Sequence, residues 1–219
     1  MPTRIFNLSK QQTVANQFMA ELRDAEIQTD PMRFRKNLER LSEILAYEIS
    51  KTFKYEKKTV ETPLGEAEIM LPVQQPVLAT ILRAGLPMHQ GMLNIFDRAG
   101  NAFLSAYRRH HKDGSFEISL DYISCPSIEG SVLIISDPML ATGASMEVCI
   151  NELLKQGEPA DIHVAVAIAA QDGIDHLLRL HPKVQLWVGA IDEELTAKSY
   201  IVPGLGDAGD LAFGSKVQY

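Results

Sequence analysis

The chain is poor in cysteine and has no clustered positive charge. Its 219 residues include two cysteines, Cys125 and Cys149, and neither belongs to a CxxC pair or a Cys/His cluster. No zinc site is therefore predicted, and both thiols suit the reducing cytoplasm. The net charge is −7 and there is no basic run. This argues against nonspecific nucleic-acid binding, which needs a clustered basic surface.

Long apolar segments are also missing. No stretch is long enough to span a membrane, and the first residues, MPTRIFNLSK, contain no apolar signal region. We therefore expect a cytoplasmic protein with no membrane partner. Hydrophobic residues make up 46% of the chain, which is enough for a sizeable core, and repeats, low-complexity segments and linkers are absent. We expect one domain over 1–219, with a helical part at 1–58, a core at 77–190 and a tail at 191–219.

Helical periodicity dominates the N-terminal part. Residues 9–26 predict a first helix, and Asp30 followed by Pro31 predicts the N-cap and first position of a second. The predicted apolar stripes are Val14, Phe18 and Leu22 on the first helix, and Phe34, Leu38, Leu41, Leu45 and Ile49 on the second.

Alternating strands and helices follow a predicted β-hairpin at 59–71. The predicted strands are 77–82, 102–107, 116–122, 132–135, 162–169 and 184–190, and the predicted helices are 87–96, 147–156 and 173–180. This alternation predicts the α/β class, with a mostly parallel sheet flanked by helices. Ligands bind such sheets at the carboxyl ends of strands, which is where Arg83, Arg108 and Asp137 fall.

The segment VLIISDPMLATGAS, from Val132 to Ser145, is typical of an anion-binding strand–loop–helix unit. A buried strand should end at Asp137–Pro138, and the small residues of 141–145 should direct backbone N–H groups at a phosphate. Asp137 would repel a bare phosphate, so a cation or sugar hydroxyls should lie between them. A phosphorylated sugar with Mg²⁺ satisfies both demands. The alternative is an ordinary turn with a helix cap; a Walker A loop is excluded because no Gly-Lys-Ser/Thr follows.

Two further segments carry candidate chemistry. Arg83 follows a predicted buried strand, and its guanidinium could hold a pyrophosphate through two hydrogen bonds. Residues 109–115, RHHKDGS, are interpreted as a mobile lid that excludes water. The adjacent histidines His110 and His111 are interpreted as exposed side chains, and not as metal ligands.

The tail contains a G-x-G-x-x-G match from Gly204 to Gly209. A dinucleotide fold needs a helix and a second strand after this motif, but only ten residues follow Gly209. The glycines instead predict a tight loop whose backbone groups approach a ligand. A structural turn is the alternative for Gly204 and Gly209, and is less suited to the acidic Asp207.

Four segments together resemble the uracil phosphoribosyltransferase family. They are ILRAGL at 81–86, AYR at 106–108, DPMLATGAS at 137–145 and YIVPGLGDAGD at 200–210. The resemblance implies a type I phosphoribosyltransferase fold and the reaction of uracil with phosphoribosyl diphosphate (PRPP) to give UMP and diphosphate. The last segment is typical of the uracil enzymes. The implied cofactor is Mg²⁺, held largely by PRPP.

The resemblance also implies the roles of particular residues. Arg83, Arg108 and Asp137 are the implied catalytic residues, and Asp207 is the protein residue implied for the metal. The implied PRPP-binding residues are Arg83, Arg108, Asp137, Pro138, Met139, Leu140, Ala141, Thr142, Gly143, Ala144, Ser145 and Asp207. The implied uracil-binding residues are Tyr200, Ile201, Gly206, Asp207 and Ala208.

Two positions depart from the family pattern. Ala144 stands where glycine is usual, so its methyl group either crowds the phosphate or is tolerated by a negative φ. Leu211 stands where a basic residue is common. Two other functions stay open: a phosphoribosyltransferase for a different base, which the tail disfavours, and a non-catalytic sensor of PRPP or UMP, which the lack of a nucleic-acid-binding surface disfavours.

The family includes dimers and tetramers and members activated by GTP, so we expect a homodimer or homotetramer and consider GTP as an activator. The candidate effector or subunit surface is the charged side of the second helix, although a solvated helix is the simpler interpretation. Its residues are Arg33, Arg35, Lys36, Glu39, Arg40 and Glu43.

Overall fold

The structure, a computed structural model, describes the backbone of residues 4–110 and 116–215, and their side chains except those of 106–120. The strands are β1 (Ile5–Asn7), β2 (Tyr55–Thr62), β3 (Gly65–Pro72), β4 (Val77–Leu82), β5 (Gly100–His110), β6 (Phe116–Ser124), β7 (Val132–Leu140), β8 (Asp161–Ala170), β9 (Gln185–Asp192), β10 (Glu194–Leu195) and β11 (Ile201–Val202). The α-helices are α1 (Ala15–Arg23), α2 (Pro31–Ser50), α3 (Leu86–Ile95), α4 (Ala144–Leu154), α5 (Gln171–Leu180) and α6 (Ala208–Phe213). None of these described helices is both long and apolar enough to cross a membrane.

A seven-stranded sheet in the order β1-β9-β8-β7-β4-β5-β6 forms the centre of the fold. Neighbouring strands are parallel except β5 and β6, which are antiparallel. The predicted mostly parallel sheet is therefore confirmed. From β4 the chain runs to β5 on one side and later to β7 on the other. The crevice between β4 and β7 is thus the point where the strand order reverses, which is the usual ligand site of such sheets.

Helices cover both faces of this sheet. Residues of α1, α2 and α3 pack with Ala165, Ala167 and Trp187 in one hydrophobic cluster. Residues of α4 and α5 pack with Val164 and Val166 in a second cluster. Successive residues of β8 thus point to opposite faces, as the strand geometry requires, and both faces are buried.

The second predicted helix is confirmed as α2. The Asp30 carboxylate accepts hydrogen bonds from the N–H groups of Met32 at 2.9 Å and Arg33 at 3.2 Å, and Pro31 is the first helical residue. All residues of its predicted apolar stripe are buried.

The prediction for the first helix, residues 9–26, is wrong at both ends, since α1 spans Ala15–Arg23. α1 begins at Ala15, because residues 8–10 form a separate 3₁₀ turn capped by Asn7, which follows edge strand β1. Val14 was expected on the buried stripe but is 57% exposed. The buried residues are Ala15, Met19 and Leu22.

Strand β7 also departs from its prediction, since it continues through Pro138 to Leu140. Its pairing with β8 skips Pro138, and its pairing with β4 ends at Ser136. Proline disrupts a sheet by lacking a ladder donor, and the ladders leave Pro138 without a partner. The strand therefore tolerates it.

The predicted hairpin is confirmed as β2 and β3, which pair in register from Tyr55–Pro72 to Thr62–Gly65. The predicted lid falls largely outside the described residues. Arg109 and His110 belong to β5 by their backbone, whereas residues 111–115 and the side chains around them are outside the described part.

Candidate active site

The loop after β4 packs directly on the end of β7. The Thr80 hydroxyl donates to the carbonyl of Ser136 at 3.0 Å. A Cβ on Gly85 would collide with the Thr80 hydroxyl and lie 3.0 Å from the Ser136 carbonyl. Gly85 is therefore required for this close approach, which places Arg83, just after β4, near Asp137, where the pairing of β7 with β4 has ended.

Asp137 is partly buried at the edge of the crevice. Burial raises the pKa of Asp137 to about 8, and a backbone hydrogen bond from Met139 acts in the opposite direction. The neighbouring thiol is Cys149 of α4, whose pKa is raised to about 12 by burial and then by the charge of Asp137. The charged form of Asp137 is thus poorly stabilised by the protein itself. A cation or hydroxyl donors at the carboxylate would favour that form.

The predicted phosphate loop connects β7 to α4. Gly143 is the N-cap of α4 with φ +86°, a left-handed conformation that favours glycine. Ala144 is the first residue of α4, and Ser199 is the one non-glycine residue with positive φ among those described. The negative φ of Ala144 therefore accommodates its methyl group without backbone strain.

Helix α5 packs against this loop, a contact that is absent from the sequence-based predictions. A Cβ on Gly173 would collide with the carbonyl of Ala141 and lie 2.9 Å from that of Leu140. The His176 ring lies 3.0 Å from the position of a Cβ on Gly143, and its Nε2 is 2.7 Å from Glu147 of α4. The available signal was a glycine shortly after a predicted strand, at the ligand-binding edge of the sheet.

Arg83 connects the crevice to the C-terminal tail. Its Nη2 donates to the Asp210 carboxylate at 3.1 Å and to the Gly214 carbonyl at 2.7 Å. Its Nη1 donates to the Phe213 carbonyl at 3.4 Å. The structure thus brings the arginine predicted for diphosphate against the tail predicted for uracil.

The tail itself combines the small β10–β11 ladder, a glycine loop and α6. The Asp207 carboxylate caps α6 by accepting from the Asp210 N–H at 3.0 Å. Within the described part of the chain, the N–H groups of Leu205, Gly206 and Asp207 have no protein acceptor. These amides stay candidates for contact with a ligand, and the predicted ligand loop stays a prediction.

The predicted uracil residues differ in exposure. Ile201 is 7% exposed and Ala208 is buried, whereas Tyr200 is 47% exposed. Gly206 has φ +86° and few atoms near its ideal Cβ position. Gly204 has φ +65° and a Cβ there would collide with the Ile201 carbonyl, so the structural-turn interpretation applies to Gly204.

The remaining site predictions concern Arg108 and the metal. The Arg108 backbone pairs with Ile118 across β5 and β6, and its side chain lies outside the described side chains. Among the described residues, no group of three or more His, Cys, Asp and Glu side chains could hold a metal ion.

A cavity of about 360 Å³ lies between the end of β9 and the beginning of the tail. Its lining residues are Ile191, Asp192, Glu193, Glu194, Val202 and Pro203. None of the predicted site residues is among them, and the acidic side chains would repel an anionic substrate. The crevice between β4 and β7 is therefore the better candidate.

Comparisons with known proteins cover nearly the whole chain. A family model described as uracil phosphoribosyltransferase matches residues 9–215. A uracil phosphoribosyltransferase of Porphyromonas gingivalis is 51% identical over 214 residues, which are 97% of this chain and 99% of the relative. That of Pyrococcus furiosus is 41% identical over 205 residues, 92% of this chain and 87% of the relative. The solved AQ2163 protein from Aquifex aeolicus has a TM-score of 0.86 at 32% identity, covering 98% of this chain and 100% of that one.

Proposed function

The chain belongs to the uracil phosphoribosyltransferase family, and we propose that it forms UMP and diphosphate from uracil and PRPP in the crevice between β4 and β7. The observation that carries this assignment to the crevice is the position of Arg83. Its guanidinium contacts Asp210 and Gly214 of the tail, so a diphosphate group at Arg83 would lie beside the uracil loop.

On the PRPP side, the segment from Asp137 to Ser145 receives the ribose 5-phosphate. The N-terminus of α4 and the glycine-containing loop before it provide backbone N–H groups, and Thr142 and Ser145 provide hydroxyls. Asp137 accepts hydrogen bonds from the ribose hydroxyls, and Arg83 and Arg108 hold the diphosphate. The pKa of Asp137, raised to about 8 by burial, falls when these donors and a cation surround it.

On the uracil side, the loop at 204–208 reads the base with backbone groups. The unpaired N–H groups of Leu205, Gly206 and Asp207 can donate to the uracil carbonyls. Ile201 packs beside the ring, and the half-exposed Tyr200 borders it. A site built from fixed donors rejects bases that present the wrong groups, because its polar atoms are then left unpaired.

In the reaction, a ring nitrogen of uracil bonds to the anomeric carbon of PRPP as the bond from that carbon to diphosphate breaks. The nitrogen's proton leaves to solvent or, through water, to Asp207. Positive charge grows on the sugar, where Asp137 stabilises it, and negative charge grows on the diphosphate, where the arginines do. When bound with PRPP, Mg²⁺ supplies further positive charge at the diphosphate. Each preorganised contact of this kind contributes about 2–4 kcal/mol to lowering the barrier.

A panel of bases tests the assignment. Purified protein is supplied with PRPP, Mg²⁺ and one of uracil, cytosine, hypoxanthine or guanine, and the nucleotide monophosphate is quantified. We expect UMP at a rate at least about a hundredfold above that for any other base, since mismatched polar groups in a hydrogen-bonding site cost this much or more. Preferential use of another base would identify a different phosphoribosyltransferase. Binding of PRPP or UMP without product from any base would identify a sensor.

We also propose a homo-oligomer, a dimer or tetramer, assembled through the β2–β3 hairpin. In the described residues β2 pairs with β3 alone, and a lone two-stranded hairpin is marginally stable in water. Its tip residue Leu64 is fully exposed, and Ile69 and Met70 are 44% and 56% exposed. Light scattering after size exclusion should give at least twice the chain mass of 24.3 kDa, and a monomer would contradict the proposal.

GTP activation is the remaining proposal taken from the family. Several charges on the charged side of α2 are already engaged, so a GTP molecule bound there would have to displace these contacts. Arg33 pairs with Glu21, Lys36 pairs with Glu39, and Arg35 donates to the Ala212 carbonyl. Initial rates with and without GTP decide whether an effector acts, and equal rates would remove the proposal.

A further inference from the structure

An ion pair between α1 and β9, with a buried carboxylate and a partly exposed guanidinium, holds the beginning of the glycine loop. The two terminal nitrogens of Arg23 each donate to one oxygen of the Asp192 carboxylate, both at 2.8 Å. Asp192 also accepts from the Gly204 N–H at 2.8 Å, and Arg23 donates to the Gly204 carbonyl at 3.0 Å. One residue of the loop is thus fixed through both of its backbone polar groups. We propose that Arg23 and Asp192 are positioning residues that set uracil affinity by fixing the loop at Gly204.

The Arg23–Asp192 pair contributes more to fixing the loop than to the net stability of the fold. The side chains of Arg23 and Asp192 are 24% and 6% exposed. A buried ion pair adds little net stability, but removing one partner is strongly unfavourable. Burial acts to raise the pKa of Asp192, but hydrogen bonds from Arg23 and Gly204 hold that pKa below its usual value. Asp192 therefore stays charged at neutral pH and continues to accept the hydrogen bond from the Gly204 N–H.

The position of the loop should depend strongly on the position of Gly204. It has φ +65°, and its backbone lies against the Ile201 carbonyl so closely that a Cβ would collide with it. The next residue, Leu205, is 2% exposed. The proposed base-reading amides of Gly206 and Asp207 follow immediately. A loosened Gly204 would displace these amides, and hydrogen bonds weaken steeply with small errors in distance and angle.

The effect should be specific to uracil, and this expectation rests on the proposed function. The ion pair contacts the beginning of the loop, whereas Arg83, the proposed diphosphate ligand, contacts Asp210 and the carbonyls after it. The proposed phosphate loop follows a different strand, β7. Loosening Gly204 should therefore leave PRPP binding largely intact.

The test compares steady-state kinetics of the wild type with Arg23→Gln, Arg23→Lys and a matched control. The control is Arg33→Gln, because Arg33 makes a similar two-bond pair with Glu21 at 2.9 and 2.8 Å between α1 and α2 without contacting the loop. For Arg23→Gln we expect the KM for uracil to rise at least tenfold and the KM for PRPP to change less than twofold. Arg23→Lys keeps the positive charge but cannot donate two parallel hydrogen bonds to Asp192. Its KM for uracil should therefore lie between those of the wild type and Arg23→Gln. The control should stay within twofold of the wild type on both constants.

The outcomes separate the inference from the proposed function. Equal increases in both KM values for Arg23→Gln, or no increase in either, would overturn the positioning role. A control that raises the uracil KM as much as Arg23→Gln would also overturn it, since the effect would then be general loosening of α1. If Arg23→Gln does not fold, Arg23→Lys, which keeps a cation opposite Asp192, decides the same question. Absence of UMP formation by the wild type would instead refute the proposed function.

Discussion

Replacement of Gly173 by alanine tests whether α5 sets the position of the phosphate loop. A Cβ at this position would collide with the Ala141 carbonyl oxygen and lie 2.9 and 3.0 Å from Leu140 O and Ala141 C. Ordinary van der Waals contacts of a Cβ lie at 3.4–4 Å, so the loop or α5 must move by about 1 Å. A phosphate hydrogen bond of about 2.9 Å that lengthens by this amount is lost.

The substitution should have a small effect on stability and a larger effect on PRPP affinity. Alanine in a helix is favoured over glycine by about 1 kcal/mol, and overpacking costs about 1–3 kcal/mol, so we expect a net stability loss of at most about 2 kcal/mol. The loss of one charge-assisted hydrogen bond, about 1.5–3 kcal/mol, should raise the Kd for PRPP by about 10- to 150-fold. Titration calorimetry with PRPP and Mg²⁺ measures this change directly.

Gly91→Ala is the matched control, because a Cβ there would collide with the Glu39 carbonyl and lie 2.8 Å from Ser42. This site lies between α2 and α3 and does not contact the phosphate loop. Gly91→Ala should therefore reduce stability and leave the PRPP Kd within about twofold. Unchanged PRPP affinity in Gly173→Ala, or equal losses in both variants, would refute the proposed support of the loop by α5.

Three further predictions concern stability, followed through the fluorescence of Trp187, the one tryptophan of the chain. The pKa of Asp137 is raised from 3.8 to about 8, so between these pH values the folded state binds the proton more tightly than the unfolded state does. The free energy of unfolding of the wild type, relative to Asp137→Asn, should therefore fall by more than about 1 kcal/mol from pH 5 to pH 8. A difference that stays constant with pH would contradict this. Burial lowers the pKa of His163 from 6.5 to about 4, so stability should be lost as pH falls from 6.5 to 4, and less so in His163→Gln. Leu45→Ala, at a fully buried position, should cost about 2–5 kcal/mol in urea unfolding, whereas Met32→Ala at 68% exposure should stay within about 0.5 kcal/mol.

The parts of the fold that local signals determine could be predicted from the sequence. The N-cap at Asp30, Pro31 after it, and apolar residues at helical spacing are sufficient for α2. The continuation of β7 through Pro138 could not be predicted in this way. It depends on where the ladders to β4 and β8 leave that residue without a partner, and neighbouring strands are a property of the whole sheet.

The candidate site likewise has features that local sequence patterns predict and features that depend on long-range packing. The glycine loop and the strand ends that bear Arg83 and Asp137 are visible as local patterns. The contacts that hold them are not, since Arg83 and Asp210 are 127 residues apart and Arg23 and Asp192 are 169 apart. Each of these arginines could equally have been a surface residue. Their roles follow from the packing of α1 and the tail at the carboxyl edge of the sheet.

The decisive experiment measures product formation by the wild type and Asp137→Asn with labelled uracil, PRPP and Mg²⁺. We expect UMP and diphosphate in equal amounts from the wild type. For Asp137→Asn we expect the rate to fall by at least about a hundredfold, because a preorganised electrostatic contact of about 2.7–4 kcal/mol is removed. PRPP binding without UMP in the wild type, or an unchanged rate in Asp137→Asn, would contradict the placement of the reaction in the crevice between β4 and β7.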